Sequence, residues 1–105
     1  MLPDAVAEYR RCFATPEAIH ASCEDYRAAA TIDLVHDEAD LDRRIAAPLL
    51  VLWGAQGLVG KMFDVPAVWR ERAADVRGQA FDCAHYLPEE KPDETVAALR
   101  DFFLS

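Results

Sequence analysis

Apolar positions recur at helical spacing through the first 45 residues, then collapse into short continuous runs. Residues 3–13 predict a helix that begins at Pro3, with Val6, Tyr9, Arg10 and Phe13 on one face. Thr15-Pro16-Glu17 is a helix start: a hydroxyl to cap, a proline where no N–H is needed, and an early acid. The helix it opens is predicted to reach about Ala30, with Ile19, Cys23, Tyr26 and Arg27 on one side. Thr31 to Arg44 also reads as helical, with acids early and Arg43-Arg44 late to oppose the macrodipole. Asp33, Asp37 and Asp40 fall on its wet side, and Ile32, Val35, Leu41 and Ile45 are expected to face inward.

Pro48 ends this regime. Leu49-Leu50-Val51-Leu52-Trp53, bounded by Pro48 and Gly54, predicts a parallel strand buried on both faces. Residues 66–74 predict a helix opened by Pro66, and residues 76–83 a second strand interrupted by Gly78. Residues 84–90 are expected to be a loop, with Pro88 and Pro92 opposing regular structure. Residues 92–104 predict a closing helix with Val96, Leu99, Phe102 and Phe103 apolar. A strand–helix–strand unit implies a right-handed parallel crossover. Two parallel strands are too few for a stable sheet, so further strands are expected upstream or from another chain.

Composition narrows the functions. The 105 residues are 52% hydrophobic and 29% charged, which suits one small globular domain. The net charge of −8 disfavours nucleic acid and anionic membrane surfaces, both of which call for excess Lys and Arg. No apolar run approaches the roughly 20 residues that span a bilayer. No basic-then-apolar leader is visible. Cys12, Cys23 and Cys83 lack paired spacing, so reduced thiols in a cytoplasmic protein are expected, without disulfide, metal or cofactor.

Several positions have chemical potential. His85 follows a strand, at the sheet end where open α/β folds bind ligands, and imidazole titrates where a general base works. A loop histidine can equally be functionless. Tyr26 either packs on its helix or aims its phenol at an anion. His20 with Cys23, and His36 with Asp37, are too few for a zinc ligand set, and Asp33 to Asp42 matches no calcium loop. Gly54 to Lys61 superficially matches a phosphate loop, but Met62 stands where the hydroxyl should be, and a flexible strand-to-helix loop is expected.

These segments together resemble a known family. Pro-Leu-Leu-Val-Leu-Trp-Gly-Ala at 48–55 is similar to the seventh strand of α/β-hydrolases and its turn. Ala-His-Tyr-Leu-Pro-Glu-Glu-Lys-Pro-Asp-Glu-Thr at 84–95 resembles their histidine loop and final helix. Cys23 to Ala28, then Asp33, His36-Asp37, Trp69-Arg70 and Asp75-Val76, resemble the haloacetate dehalogenases, fluoroacetate dehalogenase above all. The resemblance implies an α/β fold that is the C-terminal part of an α/β-hydrolase. Residues 1–45 would be the last cap helices, and 46–105 the last two parallel strands with their helices. It implies that His85 activates water against an aspartyl ester, and that Tyr26 donates to the departing halide. The substrate of the complete enzyme would be a small haloacid. Separately from the resemblance, the open edges of the Leu49–Trp53 strand lead to the expectation of a homo-oligomer such as a dimer.

The family's nucleophile elbow, its triad acid and its carboxylate-binding arginines have no match here. Gly54-Ala55-Gln56-Gly57 carries no carboxylate, in agreement with the dehalogenase pattern, where the acid follows an earlier strand. Ala84 replaces the glycine common before the histidine. Loss of a triad nucleophile costs on the order of 10⁶ in turnover, so the isolated chain is expected to be inactive. The alternatives are a non-catalytic self-associating protein, or part of an epoxide hydrolase or esterase.

Overall fold

The computed structural model describes Leu2–Ser105. The chain divides into two compact units, one ending at Asp42 and the other running Arg43–Ser105.

The first unit is three helices: α1 (Pro3–Phe13), α2 (Pro16–Ala29) and α3 (Ile32–Ala39). Pro3 occupies the first turn of α1, and Arg10 and Arg11 close its last. Arg11 pairs with Glu8 at 2.6 Å. That guanidinium holds the Glu8 carboxyl below its usual range, and Glu8 in turn raises Arg11. Both side chains are well exposed, so the pair adds little stability. Thr15 caps α2 as its sequence requires, its hydroxyl accepting the Ala18 N–H at 3.2 Å.

α3 corrects one expectation. It stops at Ala39 rather than Arg44, because the Asp40 N–H donates back to His36 and Asp37 and the chain turns. Thr31 does not cap it either; its hydroxyl donates to the Arg27 carbonyl at the end of α2. Ile32, Val35 and Leu41, expected to face inward, are exposed, and no described residue of this unit is buried. Three short helices supply no facing layer against which these stripes can be covered.

The second unit contains a parallel pair of strands. β1 (Leu49–Gly54) runs beside β2 (Val76–Phe81), with Leu49 opposite Val76 and Gly54 opposite Phe81. A bridge from Ile45 to Ala73 precedes the ladder. Ile45 thus leaves the helical pattern altogether: its N–H donates to Arg72 at 2.8 Å and its carbonyl accepts from Ala74 at 3.2 Å. The segment expected as a flexible loop holds a short helix, α4 (Leu58–Met62). α5 (Val65–Arg70) is shorter than its apolar spacing predicts. Asp64 caps its start by accepting the Ala67 N–H. Arg44 closes its end by donating to the Arg70 and Ala73 carbonyls. Arg44 therefore serves this helix and not the preceding one.

A one-turn helix, α6 (Leu87–Glu90), and then α7 (Pro92–Leu104) finish the chain. Pro88 was expected to forbid structure at 84–90, but a proline in the first turn removes no bond the helix needs. Thr95 is buried, its hydroxyl donating to the Lys91 carbonyl at 2.8 Å and lying 3.4 Å from that of Leu87. It ties α6 to α7. Arg77 of β2 sits over the Phe102 ring and donates to the Ser105 hydroxyl, which docks the end of α7.

The core is small: among the described residues, Val65, Ala73, Phe81 and Cys83 are the buried hydrophobic ones. β1 is only half-buried along Leu49–Trp53, although its composition suits a strand covered on both faces. Val96, Leu99 and Phe103 of α7, expected as an apolar face, are among the exposed residues.

Candidate active site

Two strand ends meet in the second unit. Phe81 and Cys83 accept the N–H groups of Ala55 and Gln56, at 2.9 and 3.1 Å, so the turn after β1 is stitched to the loop after β2. The Gln56 side chain adds a third bond, donating to the Asp82 carboxylate at 2.6 Å. Gly54 makes this crossing feasible: a Cβ there would lie 1.5 Å from the Ala84 carbonyl oxygen. Gly78, read from sequence as an interruption, is under a milder restriction. The Trp53 indole lies against it, 3.1 Å from where a Cβ would be.

His85 sits in the loop fixed by this crossing, exposed and just before α6. Its imidazole meets the Tyr86 ring edge-on at 5.4 Å. It lines a cavity of about 140 Å³ together with Leu52, Trp53, Gly54, Val59 and Leu87, a mostly apolar wall at the C-terminal end of the strands. Such a location suits an imidazole that exchanges protons with a small molecule. Neighbouring Cys83 is not a nucleophile in waiting. It is 4% exposed, burial pushes its thiol up, and the Glu90 carboxylate adds to the rise.

Tyr26 lies in the other unit, on α2, 81% exposed. It and His85 are therefore carried by separate units. Its helix neighbours Glu24 and Arg27 form an ion pair, and the exposed Cys23 is a free thiol. Among the described residues no group of three or more His, Cys, Asp or Glu side chains is placed to hold a metal ion. No described helix is long and apolar enough to cross a membrane.

Two features escaped sequence reasoning: the Gln56–Asp82 bond and the contacts of Glu90 beside His85. The first joins residues 26 apart and left no local signal. The second had one, an acid four residues after Tyr86 in a Pro-Glu-Glu start.

Parallel strands with a histidine loop at their C-terminal end define the closing part of an α/β-hydrolase. The comparisons agree. A crystal structure assigned to the α/β-hydrolases, from Nostoc sp PCC 7120, superposes with a TM-score of 0.92 at 58% identity, covering 98% of this chain and 35% of that one. Fluoroacetate dehalogenase from Burkholderia sp is 40% identical over 95% of this chain and 33% of its own length. Soluble epoxide hydrolase from Corynebacterium sp. (strain C12) is 30% identical over 93% of this chain and 33% of its own length. No family model matches. The chain has the fold of the C-terminal part of an α/β-hydrolase and is similar over nearly all its residues to fluoroacetate dehalogenase. It spans about a third of the length of the relatives it matches, in keeping with its reading as a C-terminal part.

Proposed function

We propose that this chain supplies the water-activating histidine of a hydrolase that cleaves a small haloacid. In this reaction an aspartate carboxylate displaces the halide from carbon and becomes an ester. His85 then takes a proton from water as that water attacks the ester carbonyl and returns it to the departing alkoxide oxygen, releasing the hydroxyacid; the aspartic acid left behind gives up the second water proton to restore the carboxylate. Tyr26 is the hydroxyl donor to the leaving halide, since a departing anion is stabilised by donors already aimed at it. The nucleophile, its partner acid and the substrate clamp come from residues outside this sequence, and the isolated chain is inactive. The observation that carries the reading is the exposed His85 on a cavity wall, held where two strand ends are stitched together.

The test grafts the chain in place of the matching third of the Burkholderia fluoroacetate dehalogenase. The chimera is expected to release fluoride continuously from fluoroacetate. His85→Asn should release about one equivalent and stop, with the ester trapped on the aspartate and visible by mass spectrometry. Continuous turnover by His85→Asn would overturn the assignment. Assay on epoxides and p-nitrophenyl esters alongside separates the runner-up activities, because the epoxide hydrolase likeness is also extensive. Continuous fluoride release by the 105-residue chain alone would contradict its predicted inactivity.

A second reading has its own support. The half-buried β1 and the many exposed large apolar side chains favour association with a further copy, covering open strand edges. A stable monomer by size-exclusion chromatography at micromolar concentration would count against it.

A further inference from the structure

The carboxylate of Glu90 holds the backbone on both sides of His85. One oxygen, Oε2, accepts the Ala84 N–H at 2.9 Å, and the other, Oε1, accepts the Tyr86 N–H at 3.1 Å. Glu90 and Glu89 in turn donate their own N–H groups to the Tyr86 carbonyl, at 2.9 and 3.1 Å. Residues 84–86 are thereby closed against the first turn of α6. The carbonyl of Ala84 faces Gly54 so closely that no side chain fits between them. Thus the residue before His85 is restrained at both its N–H and its C=O, and the residue after it at its N–H. Tyr86, whose ring meets the imidazole edge-on, is fixed by the same carboxylate. Charged acceptors form the stronger class of hydrogen bond, so one ionised side chain is an economical restraint for this loop.

We propose that Glu90 is a positioning residue for His85, restricting the imidazole to the arc from which it reaches the attacking water. This rests on the reading of His85 as the base. It requires Glu90 to matter for ester hydrolysis and not for ester formation, because the first step uses no proton transfer through His85. A misplacement of about 1 Å at a reacting group can cost on the order of 100-fold in rate.

Two experiments test it. Amide hydrogen exchange on the 105-residue chain is expected to show Ala84 and Tyr86 protected. Glu90→Ala should remove at least about tenfold of that protection at those two amides, leaving the β2 amides unchanged. Glu90→Gln keeps one acceptor oxygen and should release one of the two only. In the dehalogenase chimera, Glu90→Ala should slow steady-state turnover about 10- to 100-fold while the first-turnover fluoride burst keeps its rate within twofold. Unprotected amides in the parent chain would overturn the clamp. Unchanged turnover in the variant, or a parallel fall in burst and turnover, would overturn the positioning role. Normal turnover by His85→Asn would instead remove the base reading, and the exchange result would still report whether the clamp exists.

Discussion

Gly54→Ala is the sharpest probe of the crossing that places His85. The added Cβ would stand 1.5 Å from the Ala84 carbonyl oxygen, and 2.6 Å from both the Ala84 carbonyl carbon and the Cys83 oxygen. Non-bonded contacts relax only near 3.5 Å, so the histidine loop must retreat by about 2 Å. All three obstacles are backbone atoms, and no rotamer change relieves them. Overpacking of this kind costs about 1–3 kcal/mol. The retreat also stretches the bonds from Ala55 and Gln56 to Phe81 and Cys83, each worth about 1 kcal/mol. Against this, replacing glycine restricts the unfolded chain and returns about 0.4–1 kcal/mol. The net expectation is a loss of about 3 kcal/mol, or roughly 12–24 °C in Tm for a domain of this size. Gly57→Ala is the matched control, since its nearest obstacle is 3.3 Å away. It should stay within about 1 kcal/mol of the parent. Urea unfolding followed by the fluorescence of Trp53 and Trp69 measures both. A Gly54→Ala chain within about 0.5 kcal/mol of the parent, or two variants of equal stability, would refute the reasoning.

Other consequences follow from single contacts. Thr95→Val keeps the shape but leaves the Lys91 and Leu87 carbonyls without the hydroxyl, and should cost about 1–2 kcal/mol in urea unfolding. Arg44→Met removes the donor that closes α5 and should cost about 0.5–1.5 kcal/mol, with the Ala73 and Ala74 amides exchanging faster. Cys83 should alkylate far more slowly than the exposed Cys12 and Cys23 when mass spectrometry follows iodoacetamide at pH 8. Its raised folded-state pKa means the unfolded chain gives up the thiol proton first. Stability is therefore full below the ordinary thiol range near pH 8.5 and falls as pH rises through the folded value. Cys83→Ala should flatten that alkaline decline, and an unchanged slope would contradict it.

The elements legible in sequence were those whose signals are local. Thr15-Pro16 begins α2, Pro92 begins α7, and the run from Leu49 is a strand, because caps, prolines and apolar continuity act within a few residues. The misreadings came from long-range competition. Residues 40–44 have helical character, yet Ile45 gains a bridge to Ala73 and Arg44 gains the carbonyls at the end of α5. A proline opposes a helix only beyond its first turn, so Pro88 at the start of α6 is compatible with it. At the candidate site, His85 was visible from its neighbours in sequence. Glu90 falls in a stretch that reads as a loop, where no predicted helix start gives its carboxylate N–H groups to accept.

The residues alone carry the two strands and their parallel pairing, helices α1, α2, α5 and α7, the likeness to a haloacid-cleaving hydrolase and the histidine on which the proposal turns. All of these depend on residue identity and short-range spacing. The folded chain is needed to see why Gly54 must be glycine, how Gln56 reaches Asp82, and that one carboxylate spans the backbone around His85. The first two depend on two strand ends, far apart in the chain, arriving within bonding distance, and the third on the way α6 turns back over residues 84–86. Hydrogen bonds and steric contacts act over a few ångströms in space, and spacing along the chain cannot reveal them until the fold has brought their partners together.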